Sequence, residues 1–263
     1  MNQRAWRPAP FVMASLIVAV AALIVLWFVP PWRLWALAVL LLNFAASTLA
    51  GLLPRCALLG ENLTRLPPAA AQRGEVALTF DDGPDPEITP QVLHILDQHQ
   101  IRATFFCIGE KAAAHPDLCR AMLARGHRLE NHGQRHHTLL AFSGSGGWRR
   151  EIGEAQKILE RLGGQPRFFR PLAGLRNPML DAVLHAAGLR LASWTRRGYD
   201  TRCGDADAVL ARLTRHLAAG DILLLHDGNA ARDAQGMPVV FTVLPRLLAE
   251  LSARNLHPVP LDA

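Results

Sequence analysis

VALTFDDG, residues 76–83, is the stretch from which the fold follows. Its apolar half is too short for a helix and is bounded by acids and glycine, which predicts a buried strand over 76–80. Two adjacent carboxylates, Asp81 and Asp82, close it. Carboxylates at the end of an apolar strand are costly unless a cation or base compensates them. Their side chains diverge, so each can take its own role. An Asx-rich turn before Gly83 and Pro84 is the bland alternative.

The pattern repeats downstream. Thr89 and Pro90 read as N-cap and first residue of a helix. Further strands are predicted over 103–108, 128–130, 167–169, 189–194, 222–225 and 258–261. Helices are predicted over 116–125, 148–162, 178–187, 205–219 and 241–254, several of them closed by glycine. About seven strands with helices between them argue for parallel pairing through helical crossovers. Unusual polar residues follow strands one, three, four, five and six. A barrel brings those strand ends to one face, so a closed barrel is favoured over an open sheet.

Four more polar clusters accompany Asp81 and Asp82. After strand three comes NHGQRHH, residues 131–137. His132 and His136 stand four apart, and on a helical turn both imidazoles would face one way. With Asp82 they would make a two-histidine, one-carboxylate set that leaves positions open for water and substrate, as a catalytic zinc requires. A solvated His-rich loop is the alternative, and His137 is a spare. Arg170, in FRPLAG after strand four, can pair with a carboxylate. Asp200, after strand five, can orient a histidine. His226, in LLLHDG after strand six, ends a fully apolar strand.

Taken together, TFDDG, HxxxH, FRPxxG, the late Asp and LLLHDG resemble the polysaccharide deacetylase (NodB homology) domain, carbohydrate esterase family 4. The likeness covers about residues 75–261. It implies an α/β fold, a distorted (β/α)7 barrel of the NodB type. It implies Asp81 as general base, and Asp82, His132 and His136 as ligands of a divalent metal, most often zinc. It also implies Arg170 holding the base, Asp200 tuning the catalytic histidine, and His226 as general acid. A backbone N–H near Leu172 and Ala173 would hold the oxyanion. Leu172, Ala173, Trp194 and Arg197 are the candidate substrate contacts. Three features depart from the family pattern. Gly133 stands where Ser or Thr usually follows the first metal histidine. Leu172 and Ala173 stand in place of a Pro-Tyr pair. Arg196 and Arg197 lie in the loop after strand five, where they would suit a phosphate-bearing or lipid-pyrophosphate-linked sugar.

Upstream, residues 11–29 and 34–53 are apolar runs of about 20 residues, or roughly 30 Å of helix, the thickness of a hydrocarbon core. Pro30, Pro31, Trp32 and Arg33 separate them, so they read as a tight hairpin of two transmembrane helices. Trp6, Trp27, Trp32 and Trp35 sit at their ends, as interfacial indoles do. A cleaved signal peptide is the competing account. Residues 1–55 are therefore expected to anchor the chain in a bacterial-type inner membrane, 56–74 to link, and 75–263 to form the catalytic domain. Residues 57–66 are read as a short surface helix. Arg4 and Arg7 before the hairpin, and Arg55 and Arg65 after it, point to a cytoplasmic catalytic domain. Enzymes that trim wall polymers act outside, so the two sides stay open.

The 263-residue chain carries a net charge of +6, but its first 55 residues hold four arginines and no acid. The remaining 208 residues have an excess of only two positive charges, which disfavours nucleic acid as a partner. Cys56, Cys107, Cys119 and Cys203 show no CxxC spacing, so neither a zinc knuckle nor a disulfide framework is expected. The expected function is metal-dependent hydrolysis of an N-acetyl amide on an amino sugar of a polysaccharide or glycolipid, at a lipid bilayer. The rivals are a deformylase or other amidase on a lipid-linked sugar, and a non-catalytic, membrane-tethered sugar-binding module.

Overall fold

The computed structural model describes residues 5–261. Arg4, used above for orientation, lies outside them. Two apolar helices come first, α1 (Pro10–Phe28) and α2 (Arg33–Leu52), followed by a short α3 (Pro68–Gln72). Strands and helices then alternate: β1 (Glu75–Asp81), α4 (Ile88–Gln98), β2 (Thr104–Cys107), α5 (Gly109–Ala114), α6 (Pro116–Ala124), β3 (Arg128–Asn131) and α7 (Ser145–Arg161). The chain continues through β4 (Phe168–Phe169), α8 (Leu180–Ala186), β5 (Arg190–Leu191), β6 (Arg196–Arg197), α9 (Ala206–Thr214), β7 (Ile222–His226), α10 (Val240–Ala253) and β8 (His257–Val259).

All named strand pairs are parallel, in the order β5-β4-β3-β2-β1-β7-β6, with β8 joining the start of β1. The sheet curls into a half-barrel rather than a closed ring. Residues 63–66 bridge the seam from the end of β5 to the start of β7. Leu63 N–H donates to Leu191 O at 2.9 Å, Ser193 N–H to Leu63 O at 2.8 Å, and Leu66 N–H to Gly220 O at 2.8 Å. The surface helix expected over 57–66 is absent, because this segment pairs with the sheet instead.

The single strand expected over 189–194 is only the two residues of β5, with β6 starting at Arg196, and the break has a cause. The carbonyls of Ala192 and Ser193 leave the ladder to accept from the Arg170 guanidinium, at 3.2 and 2.8 Å. The expected Thr89 cap is also corrected. α4 begins a residue before Thr89, and the Asp85 carboxylate accepts from the N–H groups of Glu87 and Ile88 at 2.9 Å each. Thr89 instead donates its hydroxyl to Asp227 at 2.7 Å.

Successive residues of a strand face opposite ways. On β1, Val76, Leu78 and Phe80 pack into the outer core with Val92, Leu96, Leu244 and Leu247 of α4 and α10. Ala77 faces the interior with Phe106, Trp194 and Leu224. Thr79 and Asp81 share that inward side, so the pleat alone aims one carboxylate into the barrel mouth. Phe80 stacks on Phe105 at 5.0 Å between ring centroids, and both are fully buried. Phe105→Ala is expected to cost about 3–5 kcal/mol, read as a lower midpoint in thermal melts of the full chain, with Phe105→Leu milder.

α1 and α2 are each long and apolar enough to cross a bilayer. Among the described residues of α1 only Ala22 is buried. The two helices satisfy their few polar groups on each other. Asn43 Nδ2 donates to Ser15 O at 3.1 Å, and the hydroxyls of Ser15 and Ser47 lie 3.3 Å apart. Arg33 Nε donates to Leu26 O at 3.1 Å across the turn.

Candidate active site

A cavity of about 300 Å³ opens at the carboxyl ends of the strands. Asp81, Asp82, His132, His136, Leu172, Ala173, Trp194, Arg197 and His226 line it. Arg170 and Asp200 stand behind that wall, fully buried. The structure thus places these eleven residues in or directly behind one cavity wall.

Asp81 ends β1 in register with His226 of β7. Its Oδ1 accepts from Arg170 Nη1 at 2.7 Å, and its Oδ2 lies 3.9 Å from His132 Nε2. Arg170 has no freedom left. Nη1 also reaches Thr79 Oγ1 at 2.9 Å, Nε and Nη2 hold the two strand-break carbonyls, and the guanidinium lies 3.9 Å from the centroid of Phe106. Burial lowers its pKa, and the Asp81 carboxylate opposes that loss.

Asp82 turns the other way because its backbone is left-handed, φ 72°. That conformation is uncommon for a residue with a side chain. Lys111 of α5 holds its carbonyl at 2.8 Å, and Asn229 Nδ2 stands 3.3 Å from its Oδ2. Its Oδ1 lies 3.2 Å from His132 Nε2 and 3.0 Å from His136 Nε2. Burial opposes its charge, yet hydrogen bonds from the two imidazoles hold its carboxyl well below the usual range.

The two histidines do not meet on a helical turn, as their spacing suggested. They lie on an irregular loop in which Gly133 has φ 83° and His136 has φ 56°. Glu151 of α7 shapes that loop by accepting from the N–H groups of Arg135 and His136, at 2.6 and 3.1 Å. A Cβ at position 133 would come within 3.2 Å of the same carboxylate. Gly133 therefore answers both to its φ and to this close approach. His137 accepts from Leu139 N–H at 3.2 Å and lines a different cavity, outside the cluster.

Donor atoms of Asp82, His132 and His136 all lie within 4.8 Å of one another. His132 Nδ1 faces Arg170 O at 2.6 Å. A carbonyl only accepts, so Nδ1 carries a proton, and with an ion in the cluster Nε2 would be free to give it a lone pair, the arrangement typical of metal-ligating histidine. The residues fit a divalent ion.

Across the cavity, His226 Nδ1 contacts Asp200 Oδ1 at 2.8 Å, and Asp200 Oδ2 accepts from His226 N–H at 2.8 Å. Burial pushes the imidazole pKa down, but the Asp200 carboxylate together with Asp81 and Asp82 more than offsets this, and the net shift is upward. Behind His226, burial pushes the Asp227 carboxyl up to about 7. At the rim, Ala173 adopts φ 50°. Among the described residues the N–H groups of Leu172 and Ala173 have no protein acceptor.

Sequence reasoning missed Thr79, Lys111, Glu151 and Asn229. Only Thr79, inside TFDDG, carried a motif signal. The others act from elements that no local pattern ties to the site. It also placed Arg196 near the cavity. Arg196 and Arg197 alternate on β6, and Arg196 instead binds Asp221 at 2.9 Å.

A protein-family model described as polysaccharide deacetylase matches residues 69–192. The peptidoglycan-N-acetylglucosamine deacetylase of Bacillus cereus is 34% identical over 174 residues, covering 65% of this chain and 81% of that protein. A chitooligosaccharide deacetylase of Sinorhizobium fredii is 33% identical over 200 residues, covering 73% and 93%. Among solved structures, a peptidoglycan N-acetylglucosamine deacetylase superposes with TM-score 0.68 at 28% identity, covering 76% of this chain and 90% of that one. A family 4 carbohydrate esterase of Streptomyces lividans, in complex with acetate, gives TM-score 0.63 at 32% identity, covering 70% and 91%. With sequence relatives and solved structures agreeing, this chain belongs to the polysaccharide deacetylase family, the NodB or family 4 carbohydrate esterase group.

Proposed function

We propose that this protein is a membrane-anchored, zinc-dependent deacetylase that hydrolyses the N-acetyl group of an amino sugar in a polysaccharide or glycolipid. The observation that carries the reading is the pair of buried couples, Asp81 with Arg170 and His226 with Asp200, at neighbouring strand ends beside the Asp82, His132 and His136 donors. Relatives named for acetyl removal from peptidoglycan and chitooligosaccharides support it.

A divalent ion held by Asp82, His132 and His136 supplies Lewis-acid chemistry, acidifying water and polarising an amide carbonyl. Asp81 takes the proton of the attacking water, and Arg170 keeps that carboxylate aimed. The N–H groups at Leu172 and Ala173 stabilise the developing oxyanion. His226 gives a proton to the departing nitrogen. One amide bond breaks, one water is consumed, and a free amine and acetate result. The apolar hairpin serves as the membrane anchor. The basic flanks favour a cytoplasmic site, and a topology reporter fused after Ala263 tests this.

The direct test incubates the full chain in detergent with N-acetylated and N-formylated glucosamine substrates and measures both acids. Acetate release is the expected result. Formate alone would transfer the reading to a deformylase. Binding without release of either acid would leave only a sugar-binding module.

A further inference from the structure

Most buried charged groups at or behind the cavity wall have an opposite charge or an imidazole beside them. Asp81 has Arg170, His226 has Asp200, Asp82 has two imidazoles, and Arg196 has Asp221. Arg197 is different. Its guanidinium lies between two aromatic rings, 5.3 Å from the centroid of Trp194 and 5.0 Å from that of Tyr199. Its Nε is buried with no hydrogen-bond partner. Among the described residues no carboxylate pairs with it. Stacking between rings fixes the plane of an arginine while leaving its N–H edge free for an anion. Arg202, exposed on the same wall, adds a second positive charge.

We propose that Arg197 reads an anionic phosphate group carried by the substrate next to its N-acyl sugar. This rests on the deacetylase reading and names its substrate class. A planar, pre-oriented guanidinium suits phosphate because two N–H groups can engage two oxygens at once.

The shared chemistry is a sugar phosphate, and the phosphate can be lipid-linked or nucleotide-linked. The packing favours a lipid. Pro54, two residues past α2, accepts from Ser193 Oγ at 2.6 Å and from Asn62 Nδ2 at 2.9 Å. Pro54 also packs so close to Gly174 that a Cβ there would lie 3.0 Å from its Cα. Both loops around the cavity are thus fixed to the end of the apolar hairpin. A membrane holding that hairpin would hold the site at its surface.

The test is binding first, then turnover. The full chain in detergent is titrated calorimetrically with N-acetylglucosamine 1-phosphate and with N-acetylglucosamine. The phosphorylated sugar is expected to bind about 10- to 100-fold more tightly, the range of a charge-assisted hydrogen bond. Arg197→Gln should collapse that ratio toward one, and Arg197→Lys should keep part of it. Equal affinities in the unaltered chain overturn the proposal whether or not a variant folds. An unchanged ratio in a folded Arg197→Gln chain also overturns it.

Acetate release is then compared on prenyl-diphosphate-linked, nucleoside-diphosphate-linked and neutral tetrameric N-acetylglucosamine. Highest kcat/KM on the first supports the phosphate site and its lipid source. Highest on the second supports the site and assigns a soluble source. A neutral substrate turned over as well as either overturns the proposal. If no substrate releases acid, the hydrolase reading fails, and the binding ratio still decides the phosphate site.

Discussion

Stripping divalent metal from the full chain is expected to lower turnover by about 10³-fold or more, with recovery on adding zinc. Lewis-acid stabilisation of several kcal/mol corresponds to that factor, at 1.36 kcal/mol per tenfold. Recovery is expected because protein contacts hold the ligand side chains in place. The Asp82 carboxylate lies 3.2 and 3.0 Å from the two imidazole Nε2 atoms. His132 is held from behind by Arg170 O, and the His136 loop by Glu151. Chelation should therefore lower the thermal midpoint only by the binding energy of the ion and leave a refillable site. Two variants separate the ion from the base. Asp82→Ala should lose both metal content and activity, and excess zinc should not restore them. Asp81→Asn should keep its metal and lose about 10²- to 10⁴-fold in kcat, the usual share of a positioned base. Metal analysis beside acetate release reads both, and a chelated, metal-free chain that still releases acetate would exclude the mechanism.

Much of this site was legible because parallel strands joined by helices put their carboxyl ends on one side. Once Val76 to Phe80 reads as a strand, the polar residues after each later strand must converge, whatever the loops do. The details failed where loop geometry, not period, decides position. The spacing of His132 and His136 suggested a helical turn, but their convergence comes from left-handed residues at Gly133 and His136. Arg196 and Arg197 looked equivalent in the sequence, and strand alternation sends them to opposite faces. The strand over 189–194 looked continuous because its residues are apolar. Its interruption serves Arg170, a residue some 20 positions earlier, and nothing local signals that. Residues 63–66 fill the sheet's seam through isolated pairings too short to leave a pattern. Lys111 and Asn229 shape Asp82 from loops and a helix whose sequences carry no motif.

The couple of His226 and Asp200 makes the second large prediction. An Asp200 carboxylate only accepts hydrogen bonds, so His226 Nδ1 carries a proton and Nε2 is the atom left to serve the leaving nitrogen. As an acid, the imidazole must be charged. Burial alone would push its pKa below the ordinary histidine value, and Asp200, with Asp81 and Asp82, reverses that sign. The charged form therefore persists to higher pH than in a free histidine, and activity should fall on the alkaline side as the raised pKa is passed. His226→Ala should cost about 10²- to 10⁴-fold in kcat and abolish that alkaline limb. Asp200→Asn should move the limb toward lower pH, because only Asp81 and Asp82 are then left to oppose burial. The amide also has one oxygen for two donors, the Nδ1–H and the His226 backbone N–H, which Asp200 now satisfies at 2.8 Å each. One of them is left unpaired in a dry site, at about 1–3 kcal/mol, so the variant's melting midpoint should drop as well. The decisive readout is kcat/KM against pH for the two variants beside the unaltered chain, with metal content matched. If Asp200→Asn lowers the rate but leaves the alkaline limb in place, His226 is not the proton donor, and the group titrating there must be sought among the cavity's other residues.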